Sequence, residues 1–417
     1  MTDNRVDYLV AGASHAALSA LEAIRMHDPA GSVAVLAREE HLPYSPTVLP
    51  YVVSGRSKPD TVALKPAAYF AENNIAFLAG HALTRVDAAA KRVFFSNGDS
   101  VAYGKLLLAT GATPIIPPIP GLKGVPFNVL RTLDDATKLN AALPKTRAAV
   151  VLGAGLIGMH AAENRAKTGA SVTVVEMQPQ VLPGYFDEQA GEIIAAVFAE
   201  KGVRLVLGSK VDRLAKTAQG CTLTLADGSA IDADLLLVAT GVAPVMDYLE
   251  GSGVATERGI LVDDNMRTSV EDIYAAGDVA QAKGFYSGRA LVGGILPDAV
   301  EQGRIAGMAM AGDPGAAPYP GSVPLNTYAF FGSQALSVGS QSEGEVVCFE
   351  VDAPARRYLK IVMQDNRLTG IFGINRPFDA GIMWQLILRR TDLGPLREKF
   401  IAQPQQTARQ LMSKLWR

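Results

Sequence analysis

The chain has 417 residues, enough for two to four domains at roughly 100–200 residues each. Hydrophobic residues make up 48% and charged residues 19%, a globular balance, and 40 glycines suit an α/β protein with many tight turns better than a helical bundle. The net charge of −2 gives no reason to expect nucleic acid; the two cysteines, Cys221 and Cys348, form no CxxC pair and the five histidines lack ligand spacing, so no dithiol centre, cysteine-bound cluster or metal is expected.

In chain order, Tyr8-Leu9-Val10-Ala11 reads as a short buried strand, Gly12 to Ser14 as a turn, Ala16 to Met26 as a helix, and Val33-Ala34-Val35-Leu36 as the next strand. This is a βαβ unit of about 30 residues, the size of a parallel-sheet crossover. Ahead of it, Met1-Thr2-Asp3-Asn4-Arg5 is polar and carries no signal-peptide pattern. No apolar run reaches the ~18 residues of a membrane span. A cytoplasmic protein without a membrane span is the expectation.

The same unit recurs. Ala148 to Leu152 is a strand, Gly153-Ala154-Gly155-Leu156-Ile157-Gly158 a turn, about Met159 to Lys167 a helix, and Val172 to Val175 a strand ending at Glu176. A second echo accompanies it: Leu106 to Leu108 runs into Thr110-Gly111, and Leu235 to Val238 runs into Thr240-Gly241. Two motifs repeated in the same order point to two dinucleotide-binding units. Pro114 to Pro120 and Gly312 to Pro324 read as linkers. Tyr358 to Met363 and Thr369 to Ile374 read as strands, and Asp379 to Arg417 as helices interrupted near Gly394-Pro395.

The second glycine turn carries the plainer chemistry. In Gly153-x-Gly155-x-x-Gly158 the first glycine makes the turn, the second lets a pyrophosphate approach, and the third permits close helix–strand packing. The helix start, with Leu156 and Ile157, offers free N–H groups to the anion. Glu176 lies 176 − 153 = 23 residues on, where a carboxylate accepts from an adenosine ribose. It would repel a 2′-phosphate, and Met177 and Gln178 carry no compensating charge, so NADH is expected over NADPH. The first turn, Gly12-x-Ser14-x-x-Ala17, is degenerate. Its Ser14 crowds the phosphate position or else hydrogen-bonds it, and the acid expected after the second strand is displaced to Glu39.

Ile273-Tyr274-Ala275-Ala276-Gly277-Asp278, after Met266-Arg267-Thr268-Ser269, completes the pattern. With it, essentially the whole chain resembles the FAD-dependent pyridine nucleotide reductases, the superfamily of ferredoxin and rubredoxin reductases, NADH oxidases and disulfide reductases. The resemblance implies an α/β fold with two Rossmann-like dinucleotide-binding domains and a C-terminal α+β interface domain. The FAD domain (1–118 and 245–318) is interrupted by the NAD domain (119–244), and residues 319–417 form the interface or dimerisation domain. It implies an FAD site at Gly12, Ser14, His15, Ala17 and Glu39. Gly277-Asp278 would hold the ribityl and pyrophosphate side. Pro297-Asp298-Ala299 would lie beside the flavin ring, with Pro43 and Thr47 near the isoalloxazine and Thr110-Gly111 at the domain turn. The NAD site would comprise Gly153, Gly155, Leu156, Ile157, Gly158, Glu176, Thr240 and Gly241, with Leu133-Asp134-Asp135-Ala136 opening that domain. In such enzymes nicotinamide stacks on flavin and proximity carries most of the catalysis.

The departures narrow the chemistry. Disulfide-type relatives place a redox cysteine where Ser45-Pro46-Thr47-Val48-Leu49-Pro50-Tyr51 has Thr47, and a hydroxyl forms neither a mixed disulfide nor a thiolate at neutral pH. Coenzyme A disulfide reductase and cysteine-dependent oxidase or peroxidase activity are therefore not expected. Leu156 stands in place of the aromatic gate. His160 stands in place of a family Glu, and two readings stay open for it, a nicotinamide contact or plain packing. Glu163 is the nearest acid, on the surface or packed. The tail is basic at Arg389, Arg390, Arg397, Lys399, Arg409, Lys414 and Arg417, either a docking face for an acidic iron–sulfur protein or a solvated helix face.

The resemblance thus implies an NADH:acceptor oxidoreductase using FAD and NAD, with NADH/NAD⁺ and a ferredoxin-like iron–sulfur protein or subunit as partners, in a hetero-oligomeric complex or a homodimer. The chain also looks like the NADH-reacting flavoprotein subunits of multi-subunit 2-oxoacid dehydrogenases of the phenylglyoxylate type. Two alternatives remain, an NADH oxidase working without a redox cysteine and a degenerate flavoprotein kept as a scaffold.

Overall fold

A computed structural model describes residues 5–415 and falls into two compact units, each interleaved along the chain. Of the described residues, the first comprises 5–46, 60–113 and 243–323; the second comprises 47–59, 114–242 and 324–415. Met1 to Asn4 and Arg417, read above as polar start and basic tail, lie outside the described residues, as does the side chain of Lys414.

The first unit is built on a seven-stranded sheet. Strands Ile75–Leu78, Val33–Leu36, Arg5–Ala11, Ser100–Leu108 and Ile273–Ala275 run parallel, and Arg92–Phe95 and Leu83–Asp87 extend it antiparallel. The central strands end in apolar runs, Tyr8 to Ala11 and Leu106 to Leu108, because both faces are covered there. On one face Val10, Val35 and Leu107 pack with Leu21 and Ile24 of helix His15–His27 and with Ile305 and Met310 of helix Leu296–Ala311. On the other, Leu9, Leu36, Leu106 and Leu108 pack with Tyr248, Ile260 and Ile273. Each such aliphatic side chain contributes about 1.5–3 kcal/mol of burial. The two helices lie unusually close. A Cβ on Gly303 would stand 2.1 Å from the Ala16 carbonyl oxygen, and one on Gly307 2.5 Å from that of Ala20.

The second unit contains a four-stranded parallel sheet, in the order Val203–Val206, Ser171–Val175, Ala148–Leu152 and Leu235–Val238. A three-stranded antiparallel sheet spans Val211–Lys216, Cys221–Leu225 and Ala230–Ala233. The C-terminal part is a five-stranded antiparallel sheet in the order Leu325–Phe330, Ser333–Gly339, Arg367–Ile374, Arg357–Gln364 and Glu345–Asp352. Helices Ala380–Leu388, Arg397–Ala402 and Pro404–Leu415 follow it. No helix among the described residues is long and apolar enough to cross a membrane.

Three details differ from the sequence reading. The helix after the second glycine turn begins at Leu156, not near Met159, because Gly155 is extended and serves as its N-cap. Residues 312–323, read as a linker, pack into the first unit: Tyr319, Ser322 and Val323 are all buried. Gly and Pro there bend the chain across the sheet end rather than free it from the domain. The segment 47–59 belongs with the second unit. It is held there by Asn164 Nδ2 donating to the Pro50 carbonyl at 2.8 Å and Asn140 Nδ2 donating to that of Val53 at 2.9 Å.

Candidate functional site

Each unit presents the end of a parallel sheet where a strand turns sharply into a helix. In the second unit Gly153 takes φ +103°, and a Cβ there would meet the Ala239 carbonyl oxygen at 2.4 Å. A Cβ on Gly158 would meet the Gly153 carbonyl oxygen at 2.0 Å, so helix and turn touch through bare backbone. Gly155 is different, since a Cβ there would meet nothing within 4 Å. The turn is therefore closed where the helix packs and open at Gly155.

The first unit repeats this geometry. Gly12 takes φ +123°, and its Cβ would fall 2.0 Å from the Ala109 carbonyl oxygen. Ala109 and Ala239 each follow the parallel strand paired with the glycine-turn strand and donate to the end of that strand, to Ala11 at 2.7 Å and Leu152 at 2.8 Å. The Thr110-Gly111 and Thr240-Gly241 echoes thus occupy the same place in each sheet. Both hydroxyls are committed to the scaffold. Thr110 Oγ1 bonds the Val245 carbonyl at 3.2 Å and the Tyr248 hydroxyl at 2.7 Å, while Thr240 Oγ1 donates to the Ile115 carbonyl at 2.9 Å.

Helix starts differ in their caps, and the short helices Leu49–Val53, Ala67–Glu72 and Arg397–Ala402 have no side-chain cap. Helices Leu133–Ala142, Glu188–Glu200 and Ala380–Leu388 are capped by the side chains of Thr132, Asp187 and Asp379. The helices starting at His15, Leu156 and Leu296 have no side-chain cap. Uncapped first-turn N–H groups with the positive end of a helix dipole are what an anionic ligand uses.

In the first unit two of these ends converge on one turn. Gly277, at φ +79°, donates its N–H to Gln302 Oε1 at 2.9 Å, and its Cβ would lie 3.2 Å from Ala16 and 3.7 Å from Ala299. The Asp278 turn, the Ser14–Ala17 helix start and the Pro297–Ala299 helix start therefore form one cluster. Ser14 does not turn toward its own helix; its hydroxyl donates to the Tyr44 carbonyl at 3.4 Å. His15 Nε2 is 2.8 Å from Ser45 Oγ, and burial holds its ring below the usual imidazole pKa. The Tyr44 hydroxyl donates to Glu39 Oε2 at 2.7 Å. Ser14, His15, Glu39 and the loop through Pro43 are thus gathered at the same helix start. Thr47, read with them, lies in the second unit.

In the second unit the Glu176 carboxylate is fixed at the mouth of the turn. Oε2 accepts from Ala154 N and Oε1 from Gln178 N, both at 2.8 Å. Met177 beside it is exposed. His160 faces inward, its ring edge-on to Tyr328 with centroids 4.7 Å apart, and burial depresses its pKa. Glu163 is buried and accepts from Phe331 N at 2.8 Å and Lys167 Nζ at 2.5 Å, a packing role. Leu156 is half-buried and Ile157 exposed at the helix start.

Sulfur chemistry finds no support. Cys221 is buried and Cys348 half-buried, and burial pushes both thiols up, away from the reactive thiolate. Of the basic tail, Arg397 pairs with Glu345 at 2.7 Å, and Arg389, Arg390 and Arg409 are exposed. Sequence reasoning did not foresee the buried surroundings of Asp298, which accepts from Ser322 and is pushed up to about 6, chiefly by burial. A lone Asp in a helix's first turn gives no signal of that kind.

Comparison with known proteins bears on this arrangement. The profile of the family described as pyridine nucleotide-disulphide oxidoreductase matches residues 6–307. The chain is 55% identical over 413 residues to the NADH-dependent phenylglyoxylate dehydrogenase subunit epsilon of Aromatoleum evansii, covering 98% of each chain. It is 30% identical to the rubredoxin-NAD(+) reductase of Pseudomonas putida, over 75% of this chain and 82% of that one. Among solved structures it resembles a ferredoxin reductase of Rhodopseudomonas palustris with a TM-score of 0.82 and 27% identity, over 89% and 91% of the two chains.

Proposed function

Because the chain belongs to the pyridine nucleotide-disulphide oxidoreductase family, we propose that it is an FAD-dependent NAD(H):acceptor oxidoreductase, the NADH-reacting subunit of a multi-subunit 2-oxoacid dehydrogenase of the phenylglyoxylate type. The observation that carries this reading is the likeness to the epsilon subunit over 98% of both chains. Reductases that serve rubredoxin and ferredoxin stand beside it, and an iron–sulfur subunit or ferredoxin-like protein is the electron partner this reading assigns.

FAD goes to domain 1–118 and 245–318, where the uncapped helix starts at His15 and Leu296 would hold its phosphates and ring through backbone N–H groups, with Gly12, Ser14, Ala17, Gly277 and Asp278 around them. NAD(H) goes to domain 119–244. There Gly155 leaves room for the pyrophosphate, Glu176 takes the adenosine ribose, and Thr240-Gly241 bounds the far end. The interface domain, expected at 319–417, is better begun at Pro324, because Tyr319 to Val323 pack with the first unit, and the enzyme works in the cytoplasm. When bound, the flavin supplies the change from two-electron to one-electron chemistry. The protein's part is to position: it offers a ready-made carboxylate at Glu176 and an imidazole at His160 whose pKa burial lowers.

The test is an anaerobic titration of the FAD-reconstituted protein with NADH, followed by purification from its native source without a tag. Bleaching of the flavin by NADH, together with stoichiometric co-purification of iron–sulfur subunits, is the expected result. Bleaching with the protein always free, and steady oxygen uptake with NADH alone, would favour a stand-alone oxidase. No bleaching would overturn the oxidoreductase reading.

A further inference from the structure

Asp298 sits in the first turn of helix Leu296–Ala311 with its carboxyl turned inward and only 3% of the residue exposed. Its Oδ2 accepts from Ser322 Oγ. The Tyr319 hydroxyl, also buried, is crowded among Asp298, Gln302 and Ser322 without a well-formed bond. On the remaining side the chain passes so near that a Cβ on Gly293 would fall 2.1 Å from Oδ2.

Among the described residues no cation pairs with this carboxyl. The one charged group that bears on it is another carboxylate, Asp278, on the turn after strand Ile273–Ala275. Arg304, on the same helix, is paired with Glu301 at 2.6 Å, and Lys283 with Asp264 at 2.9 Å. Burial and Asp278 raise the carboxyl to about 6, against the opposing pull of the Ser322 and Tyr319 hydroxyls. The next residue, Ala299, adjoins Gly277, where the two helix starts and the Asp278 turn meet. A buried acid without a counter-cation, poised just below neutrality at this junction, responds to any charge that arrives there.

We propose that Asp298 is the charge-compensating acid of this unit, taking a proton from solvent when the bound flavin gains negative charge and returning it when that charge leaves. The proposal rests on the assignment of FAD to the first unit. Two-electron reduction by NADH breaks a nicotinamide C–H bond, leaves NAD⁺ and adds one negative charge to the flavin. A solvent proton forms the O–H bond on Asp298 and cancels that charge, and reoxidation reverses both. A unit charge placed at about 10 Å in an effective dielectric near 20 would raise a carboxyl by about one pH unit.

The experiment is infrared difference spectroscopy of the FAD-loaded protein, oxidised against dithionite-reduced, at neutral pH. A protonated-carboxyl C=O band should appear on reduction, shift in heavy water, and vanish in Asp298→Asn. Ser322→Ala removes a donor that favours the charged form, so the band should titrate in at a higher pH, by about one unit. A band that persists in Asp298→Asn, no carboxyl band on reduction, or an unmoved titration in Ser322→Ala would overturn the proposal. Dithionite reduces the flavin without nucleotide, so a failed NADH site leaves this result intact. Protein that takes up no FAD would overturn the assignment of the first unit as well, and its absorbance spectrum alone would show it.

Discussion

Glu176 should decide between NADH and NADPH, and the structure sets the size of the effect. Both carboxylate oxygens are held by backbone N–H groups at 2.8 Å, so the group cannot swing away from an incoming ribose. A hydrogen bond between a ribose hydroxyl and a fixed carboxylate is worth about 1.5–3 kcal/mol. A 2′-phosphate loses that bond and meets like charge, about 4 kcal/mol per charge pair at 4 Å in an effective dielectric near 20, before screening. Together these favour NAD⁺ over NADP⁺ by roughly 2–4 kcal/mol, or about 30- to 1,000-fold. Glu176→Gln removes the repulsion and forces the amide NH₂ to face either Ala154 N–H or Gln178 N–H, donor against donor. It should weaken NAD⁺ binding about tenfold and bring the discrimination to within about tenfold. Calorimetric titration of wild-type and variant protein with NAD⁺ and NADP⁺ measures all four constants. Equal affinity of the wild type for both nucleotides, or an unchanged ratio in the variant, would refute the reasoning.

Gly303→Ala drives a Cβ to 2.1 Å from the Ala16 carbonyl oxygen and 2.8 Å from its Cα, backbone that cannot rotate aside. The two helices must part, at a cost of about 1–3 kcal/mol or more, and an unshifted melting temperature would show that the close approach is not needed. Asp298 gives a pH dependence of known sign. Its folded-state pKa of about 6 lies above the ordinary 3.8, so the native state holds this proton more tightly and loses stability as pH rises from 3.8 to about 6. The loss approaches about 3 kcal/mol and is constant above that window. In urea titrations Asp298→Asn should lack this component, and parallel pH profiles for the two proteins would contradict it. Tyr328 buries a hydroxyl that has no hydrogen-bond partner. Tyr328→Phe should therefore be neutral or stabilising by up to about 1 kcal/mol in thermal melts, and a clear loss would mean that the hydroxyl has a partner in the working enzyme.

Why some of this was legible and some not follows from where each constraint is written. The two glycine turns could be read because the requirement is local. Gly12 and Gly153 need positive φ and a bare Cα against a neighbouring carbonyl, and only glycine supplies both. The strands beside them could be read because burial on both faces demands unbroken Val, Leu and Ala runs. Glu176 could be read because its distance from Gly153 is fixed by one helix and one strand. The allocation of residues 47–59 could not, because it depends on Asn140 and Asn164, about 90 and 110 positions away, reaching the carbonyls of Val53 and Pro50. For His160, sequence left a nicotinamide contact and packing side by side; the edge of Tyr328, brought in from the C-terminal sheet, accounts for its burial without deciding between them.

Asp298 is the most instructive of these cases. As a helix N3 acid it has the sequence signature of an ordinary capping residue, which would point outward to the first-turn N–H groups and sit at an ordinary pKa. The chain from Tyr319 to Val323, which composition marks as linker, instead folds over the helix start and shuts the carboxyl in. The unusual acid is therefore produced by the segment that composition marks as least structured. Its charge state is set by Ser322, Tyr319 and Gly293 rather than by its own neighbours in the helix. Gly321 takes φ +110° there, and a Cβ on it would stand 2.6 Å from the Phe285 Cα, so a residue that suggests a linker is one of those that allow the enclosure. A change at Gly293 or Ser322 should then alter Asp298 more than any change on the exposed face of its own helix.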